Sequence, residues 1–266
     1  MAIQTHKIIS IVNQKGGVGK TTTALNMGAW LSIYTKAKVL LIDMDGQANL
    51  SACVSVDNNK VKGTSFDLLV DENKKAEDLI YKSDSLLFDI ILSDERLNNI
   101  DLILNNTMDR ERQLLYKLEE IKNKYDFIII DCSPSLNLAT INSLGATDYI
   151  MIPVQADYLS IRGTANLLES INKVKKKINP TLEILGVFTT MYDNRKINDK
   201  NIYETIQEQF GDKSFNTVIR ENVRLKESPI EKKSIFEYDK NCNGFIDYYN
   251  LMVEVWKRLG GNVNEK

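Results

Sequence analysis

The sequence predicts an α/β fold: a single doubly wound, mostly parallel sheet with helices on both faces. Short apolar runs rich in β-branched residues alternate along the chain with amphipathic segments of helical length. Some runs, such as residues 127–130, are apolar throughout. Continuous apolarity is typical of parallel strands that are covered on both sides. The alternation has neither an internal repeat nor a linker within it, so we predict one domain.

The elements follow in chain order. We predict strands over residues 7–12, 38–42, 86–91, 101–104, 126–130, 149–153, 183–189 and 215–219. The clearest helical patterns cover residues 21–34, 109–124, 199–210 and 245–259, with Thr107 as the N-cap of the second helix. Residues 55–85 are polar and weakly patterned, which indicates a surface excursion with short helices. The lysines of residues 173–177 are expected on the exposed side of a helix.

Composition excludes several classes of protein. The 266 residues are 43% hydrophobic and 26% charged, which is ordinary for a globular chain. The net charge of −2 argues against a bulk polycation for nucleic acid, although a local basic patch remains possible. Three separated cysteines and one histidine argue against a disulfide scaffold, a structural zinc site and a Ser-His-Asp triad. No apolar run reaches the length of a membrane span or a signal peptide.

The strongest chemical signal is the segment KGGVGKTT at residues 15–22. It follows the first predicted strand and opens the first predicted helix, which is the context of a phosphate-binding loop. Glycines let backbone N–H groups converge on phosphate oxygens, and the helix N-terminus adds favourable partial charge. Lys20 is expected to contact the β- and γ-phosphates, and the Thr21 hydroxyl to ligate Mg²⁺. The predicted nucleotide contacts in this loop are Lys15, Gly16, Gly17, Val18, Gly19, Lys20, Thr21 and Thr22.

Three carboxylates stand at the carboxyl ends of predicted strands. Asp43 and Asp45 follow one apolar run, and Asp131 follows another. In open α/β sheets the ligand crevice lies outside these strand ends. We therefore predict that Asp45 orients or deprotonates the attacking water, while Asp43 and Asp131 hold the Mg²⁺ shell.

The loop departs from the pattern GxxxxGK[ST], because Gln14 stands where the first glycine would be and Lys15 is an additional lysine. In this it resembles the deviant Walker A ATPases, a P-loop NTPase family that includes the ParA/Soj partition proteins, MinD and the nitrogenase iron protein. The resemblance implies a dimer with ATP sandwiched between two subunits. It also implies that Lys15 reaches the nucleotide of the partner subunit and takes part in catalysis.

Further segments resemble Soj-type members along nearly the whole chain. Residues 43–49 look like the DxDPQ motif, with Gly46 in place of Pro, and residues 131–136 look like DCPPSL. Residues 153–158, 189–193 and 221–229 match as well. In the last segment, the resemblance implies that Asn222 contacts the adenine side of ATP. Two neighbours depart from the usual Pro and Arg there, since they are Arg220 and Glu221.

The branches of the family share an ATPase site but differ in the process that the ATPase serves. The terminal helix does not resemble a basic membrane anchor of the MinD type, because Trp256 and Leu259 are expected in the core. Cys132 lacks the second cysteine that a shared iron–sulfur cluster needs. Partition ATPases bind DNA without sequence preference, and the resemblance implies that Arg195 and Arg224 support this. Arginine suits phosphate oxygens because its planar fork donates in pairs.

We therefore predict a ParA/Soj-type partition ATPase with one P-loop domain over residues 1–266 and no N-terminal helix-turn-helix domain. The expected cofactors are ATP and Mg²⁺. The expected partners are a second copy of the chain, non-specific DNA and a ParB-like centromere-binding protein, with no membrane. The expected location is cytoplasmic and nucleoid-associated. The alternatives are a MinD-like spatial regulator at a membrane and a cargo-positioning ATPase of the same fold.

Overall fold

A computed structural model describes residues 6–82 and 87–262 and contains one eight-stranded sheet in the order β3-β4-β2-β5-β1-β6-β7-β8. All neighbouring strands are parallel except β3 and β4, which pair antiparallel. The predicted fold class is confirmed. The strands are β1 Lys7–Ile11, β2 Val39–Met44, β3 Tyr81–Lys82, β4 Asp89–Ile91, β5 Phe127–Cys132, β6 Tyr149–Gln155, β7 Glu183–Tyr192 and β8 Ile219–Arg220.

Helices connect the strands and cover both faces of the sheet. They are α1 Lys20–Trp30, α2 Asn49–Ala52, α3 Ser65–Val70, α4 Ile100–Ile103, α5 Gln113–Glu119, α6 Leu138–Gly145, α7 Tyr158–Lys177, α8 Ile197–Phe210, α9 Arg224–Glu227, α10 Ile235–Tyr238 and α11 Asn243–Arg258. Helix α1 continues into a π-helical turn, Leu31–Thr35.

Two hydrophobic cores lie on the two faces of the sheet. On one face α1, α2, α10 and α11 pack on alternate strand residues such as Ile9 and Leu41. On the other face α3 to α8 pack on residues such as Ile42 and Ile128. The central strands are buried on both sides, which explains why their sequences are apolar throughout.

The register of the central strands places the predicted site residues together. Ile11, the last residue of β1, pairs with Asp131 in β5. Asp43 in β2 pairs with Asp131 from the other side. The loop after β1 and the acids after β2 and β5 therefore share one edge of the sheet.

Three predictions about elements were wrong. Residues 101–104 lie in and just after helix α4 and do not form a strand, because Ile100 and Leu104 are buried four residues apart while Leu102 and Ile103 are exposed. A short apolar run alone does not distinguish the two. The helix predicted over residues 109–124 is interrupted: α5 begins after the N-cap Arg112, not Thr107. The strand predicted at residues 215–219 is reduced to β8 and an isolated bridge at Ser214.

Other predictions about elements were confirmed. Trp256 and Leu259 pack against the core beside α11. The lysines at positions 173, 175, 176 and 177 are exposed on α7. Residues 55–82 form short elements as predicted, namely α3, β3 and two 3₁₀ turns, and residues 83–85 lie outside the described part of the chain. They are more than a surface excursion, because β3 joins the sheet and Leu68 and Leu79 are fully buried in its core.

A buried asparagine in α1 offers a test of this packing. The Asn26 side chain accepts a hydrogen bond from the Ile235 backbone N–H at 2.8 Å and donates to the Thr22 carbonyl at 2.8 Å, so it fastens α10 to α1. We expect Asn26→Ala to lower the free energy of unfolding by about 2 kcal/mol, because it leaves a buried N–H without an acceptor. Urea unfolding of the nucleotide-free protein measures the change.

The matched control is Asn166→Ala, which removes the same side chain from an exposed position of α7. That variant should change the free energy of unfolding by less than about 0.5 kcal/mol. Equal losses in the two variants would contradict the role assigned to Asn26.

Candidate active site

The glycine loop lies between β1 and α1 at the carboxyl edge of the sheet. Gly17 and Gly19 have φ angles of 74° and 93°, which residues with a Cβ atom rarely adopt. Two hydrogen bonds hold the loop against strands β7 and β6. Thr190 donates to the Val18 carbonyl at 2.9 Å, and Asn13 donates to the Pro153 carbonyl at 2.6 Å. A Cβ atom on Gly17 would meet nothing within 4 Å. The loop is thus open on the side away from the protein.

The two lysines of the loop have different surroundings. Lys20 is buried, and its ammonium donates to the Lys15 carbonyl at 3.1 Å. Burial lowers the pKa of Lys20, although the nearby Asp131 carboxylate acts to raise it. Lys15 is more exposed and forms an ion pair with Asp157, the N-cap of α7. Its ammonium also lies 3.3 Å from the Ser160 hydroxyl.

Asp131 is the deepest acid of the site. It is fully buried, and its Oδ2 accepts a hydrogen bond from the Thr21 hydroxyl at 2.7 Å. Its Oδ1 is buried and has no hydrogen-bond partner within residues 6–82 and 87–262. Burial, together with the Asp43 charge, raises the pKa of Asp131 well above its usual range.

Asp43 and Asp45 belong to a ring of hydrogen bonds with two serines. Asp43 Oδ2 accepts from both the backbone N–H and the hydroxyl of Ser51, at 2.8 and 2.7 Å. The Ser51 hydroxyl accepts from the Ser93 N–H at 2.8 Å, and the Ser93 hydroxyl donates to the Asp45 carbonyl at 2.7 Å. The Asp45 N–H closes the ring on Asp43 Oδ1 at 3.1 Å. The loop that carries Asp45 is therefore held from both sides.

The Asp45 side chain has fewer constraints than its backbone. It is mostly buried, and its Oδ1 accepts from the Gln47 N–H at 3.0 Å. The next residue, Gly46, packs against Asn98, because a Cβ atom there would lie 2.3 Å from the Asn98 amide oxygen.

The site fits a cation that is shared with phosphate oxygens. The Thr21 hydroxyl donates its only proton to Asp131, so its lone pairs remain for a metal. Burial also raises the pKa of Asp43 to about 6, although the hydrogen bonds from Ser51 act to lower it. Among the described residues no group of three or more His, Cys, Asp or Glu could hold a metal alone. One hydroxyl and two carboxylates suit Mg²⁺, because this ion keeps several waters and binds through few carboxylates together with substrate phosphates.

Beside the glycine loop is a small pocket whose surface is mainly apolar. Val18 and Gly19 of the loop line it on one side. Asn222 lines the other side, where its Oδ1 accepts from the Arg224 N–H at 2.8 Å. The pocket is therefore directly adjacent to the phosphate loop.

The predicted DNA contacts lie at the same edge of the sheet but apart from the glycine loop in sequence. Arg195 follows β7 and Arg224 follows β8, the neighbouring strand. Arg195 pairs with Asp193 at 2.8 Å and is 86% exposed. Arg224 pairs with Glu227 at 2.8 Å and is half-exposed.

Several contacts of the site join residues whose pairing no motif in the sequence predicted. Ser93 and Asp157 enter from the segment after β4 and the loop after β6, far from the residues that they contact. Asp247 of α11 binds Arg220, 27 residues away. Only the fold brings these partners together.

The buried acids predict how stability depends on pH. An acid whose pKa is raised by folding is protonated more in the folded chain, so stability falls as pH rises from about 4 through the folded pKa. We expect Asp131→Asn to raise the free energy of unfolding at pH 7.5 by about 1 kcal/mol, because it removes a buried charge. The gain should shrink at pH 5. Urea unfolding without nucleotide or metal measures it.

Asp212→Asn is the control, because this acid is exposed. It should leave the free energy of unfolding unchanged at either pH. An Asp131→Asn protein that is less stable than the wild type at pH 7.5 would mean that the hydrogen bond from Thr21 outweighs the cost of the charge.

None of the helices in the described ranges is both long and apolar enough to span a bilayer.

Comparison with known proteins identifies the family. The profile of the AAA domain family matches residues 6–184. The chain is 41% identical to the sporulation initiation inhibitor protein Soj of Bacillus subtilis over 249 residues, which are 94% of this chain and 98% of that protein. It is 36% identical to the chromosome partitioning protein ParA of Caulobacter vibrioides over 260 residues, 97% of each chain.

Two solved structures have the same fold. The ATP complex of a Cyanothece McdA variant matches with a TM-score of 0.85 and 25% identity, over 98% of this chain and 99% of that one. The cobyrinic acid a,c-diamide synthase of Mycobacterium smegmatis with bound ADP and magnesium matches with a TM-score of 0.78 and 25% identity, over 95% and 96%. The predicted resemblance is confirmed: this chain belongs to the ParA/Soj family of partition ATPases.

Proposed function

We propose that the chain is an ATP-dependent, dimeric, non-sequence-specific DNA-binding ATPase that drives plasmid or chromosome partitioning. The observation that carries its ATPase site is the unsatisfied Asp131 Oδ1, which lies beside Thr21 under an open glycine loop. A buried carboxylate oxygen without a partner is costly, and the cost is relieved when a cation binds with its nucleotide.

Residues of the loop and two neighbouring acids together bind ATP and Mg²⁺. The Lys20 ammonium exchanges its bond to the Lys15 carbonyl for the β- and γ-phosphates. Thr21 and Asp131 would hold Mg²⁺, and Asp43 would support its shell. When bound, Mg²⁺ neutralises charge that develops on the transferred phosphoryl oxygens. The glycines keep the backbone close enough to surround the phosphates.

Asp45 acts on the attacking water. Its backbone is fixed by the Ser51–Ser93 ring, while its Oδ2 makes no hydrogen bond within the described part of the chain. A carboxylate oxygen that is fixed in position but unpaired can accept the proton of a water or orient it towards the γ-phosphate.

Lys15 acts in the dimer. In the single chain its charge is satisfied by Asp157, on the rim of the same edge. The pair is half-exposed, so it can be broken at little cost when a second copy presents a nucleotide phosphate. ATP is then sandwiched between the two subunits.

DNA binding rests on Arg195 and Arg224. Within the described residues, the exposed Arg195 pairs with Asp193, and the half-exposed Arg224 pairs with Glu227 and Asp239. Exposed ion pairs of this kind are weak, so phosphate oxygens can replace the carboxylates. A dimer joins the arginines of two subunits into one surface, which explains why binding would require ATP.

The whole chain, residues 1–266, acts as one ATPase domain in this proposal. A ParB-like centromere-binding protein stimulates hydrolysis, the dimer separates, and DNA is released. The protein works in the cytoplasm on the nucleoid. Liposome co-sedimentation and DNA mobility shift, each with ATP, distinguish it from a MinD-like regulator, and gene neighbourhood distinguishes it from a cargo-positioning ATPase.

Two variants separate binding from hydrolysis. Asp45→Ala should bind ATP and dimerise normally while hydrolysis falls by about 10²–10⁴-fold, the usual contribution of a positioned base. Lys20→Ala should abolish ATP binding, because it removes the buried cation from the phosphate site. Calorimetry measures binding, and phosphate release measures hydrolysis.

Asp78→Ala, which removes an exposed acid from the excursion, is the control and should behave as the wild type. Loss of ATP binding in Asp45→Ala would mean that this residue is structural. Unchanged ATP affinity in Lys20→Ala would contradict the phosphate site itself.

The DNA surface predicts a salt dependence. If each subunit offers Arg195 and Arg224, about four phosphates are neutralised, and log affinity falls against log salt with a slope of about −3.6. Raising salt from roughly 50 to 200 mM should weaken binding by roughly 150-fold. Arg224→Glu should nearly eliminate ATP-dependent binding of unrelated duplexes while dimerisation, followed by light scattering, survives. Phosphate contacts carry no base information, so sequence should matter little.

Lys176→Glu makes the same change of charge on the exposed face of α7. It should leave both affinity and slope unchanged. If Lys176→Glu and not Arg224→Glu lowered affinity, the DNA surface would lie on α7 instead.

A further inference from the structure

Arg220 lines the pocket beside the glycine loop. Its backbone N–H and its guanidinium group both bind a single buried acid, Asp247 of α11. The pocket therefore has a wall that the motif alone does not predict.

The contacts between the two residues fix the guanidinium group. The Arg220 backbone N–H donates to Asp247 Oδ2 at 2.9 Å. Its Nε lies 3.1 and 3.0 Å from Oδ1 and Oδ2, and its Nη2 donates to Oδ1 at 2.6 Å. The Asp247 side chain is only 7% exposed, whereas that of Arg220 is 37% exposed. The acid is thus inside the protein, and the planar cation is held against it at the pocket surface.

This arrangement leaves part of the guanidinium available to a ligand. Within residues 6–82 and 87–262, Nη1 of Arg220 has no hydrogen-bond partner. The flat faces of a guanidinium group stack on aromatic rings. Bidentate pairing with Asp247 lies in the plane of the group and does not cover either face. Because the pairing fixes the plane in advance, little side-chain entropy remains to be lost when a ring packs against it.

The rest of the pocket indicates what kind of ring fits. Its walls include the apolar side chains of Ile219 and Leu225 and the ring of Tyr248. Val18 and Gly19 of the phosphate loop also line it, together with the polar residues Glu221, Asn222 and Lys226. A ligand that continues from phosphates at the loop into a pocket with apolar walls and a few polar groups has the chemistry of a nucleoside phosphate. A purine offers a larger face for stacking on the guanidinium plane than a pyrimidine does.

We propose that Arg220, fixed by Asp247, forms one wall of the base site and stacks on the purine of the bound nucleotide. The inference rests on the proposed binding of ATP at the glycine loop. It assigns to the Arg220–Asp247 pair the part of the affinity that comes from the base, separate from the part that Lys20 contributes through the phosphates.

The experiment compares ATP with inorganic tripolyphosphate, both with Mg²⁺, by titration calorimetry on the full chain. Arg220→Met keeps an apolar stem of similar length but removes the planar cation. It should weaken ATP binding by roughly 5- to 100-fold, the range of a lost base-stacking contact. Tripolyphosphate binding should stay within about twofold of the wild type, because no stacking partner is involved. The wild-type preference for ATP over CTP should shrink in the variant.

Two further variants guard against a purely structural effect. Arg258→Met removes another half-buried arginine, at the end of α11, which binds the Leu185 carbonyl near the beginning of β7, and should leave both affinities unchanged. Arg220→Gln keeps a planar group and should recover part of the ATP affinity. Circular dichroism checks that each variant is folded.

The outcomes separate the two proposals. If the wild type bound neither ATP nor tripolyphosphate, the proposed function would fail, and this inference with it. If the wild type bound both and Arg220→Met bound ATP equally well, only the role of Arg220 would be overturned. Parallel losses of ATP and tripolyphosphate affinity in Arg220→Met would also overturn it, because they would indicate a general disturbance of the site.

Discussion

The parallel pairing of β5 with β1 on one side and β2 on the other is the constraint on which the site depends. It sets Asp131 level with Ile11 and with Asp43, so a glycine loop and two acids converge although they are far apart in sequence. The strands that impose this register are buried on both faces by two separate cores. A shift of one residue would turn every side chain to the opposite face of the sheet, so packing energy and site geometry are coupled.

The same convergence buries more acidic than basic groups in the site. Asp43 and Asp131 are buried next to each other, and Lys20 brings a buried positive charge to them. In water such groups would ionise freely, whereas here their pKa values are raised by burial. An acid cluster of this kind is suited to a polyanion only when a cation comes with it. Under the proposed function, this cluster favours the metal complex of a nucleotide over the free nucleotide.

The sequence was most informative where chemistry is local. The glycine loop, its lysines and the strand-end acids occupy contiguous motifs, and the central strands are apolar enough to be recognised. The supporting contacts are not local: Ser93 holds the Asp45 loop and Asp247 holds Arg220 across long stretches of chain. Residues 101–104 show the limit of the hydrophobic pattern. A short apolar run is compatible with a strand, but these residues lie in and just after helix α4. The departure at Arg220 was visible, but its partner was not.

The two outermost strands have a consequence for self-association. Within the described residues, β3 and β8 contain two residues each, so either margin of the sheet offers an incoming chain very few backbone hydrogen bonds. Short margins of this kind protect a sheet from adding further strands and growing into fibrils. Copies of this protein can therefore reach a high local concentration, as the proposed assembly on DNA requires, without joining sheet to sheet.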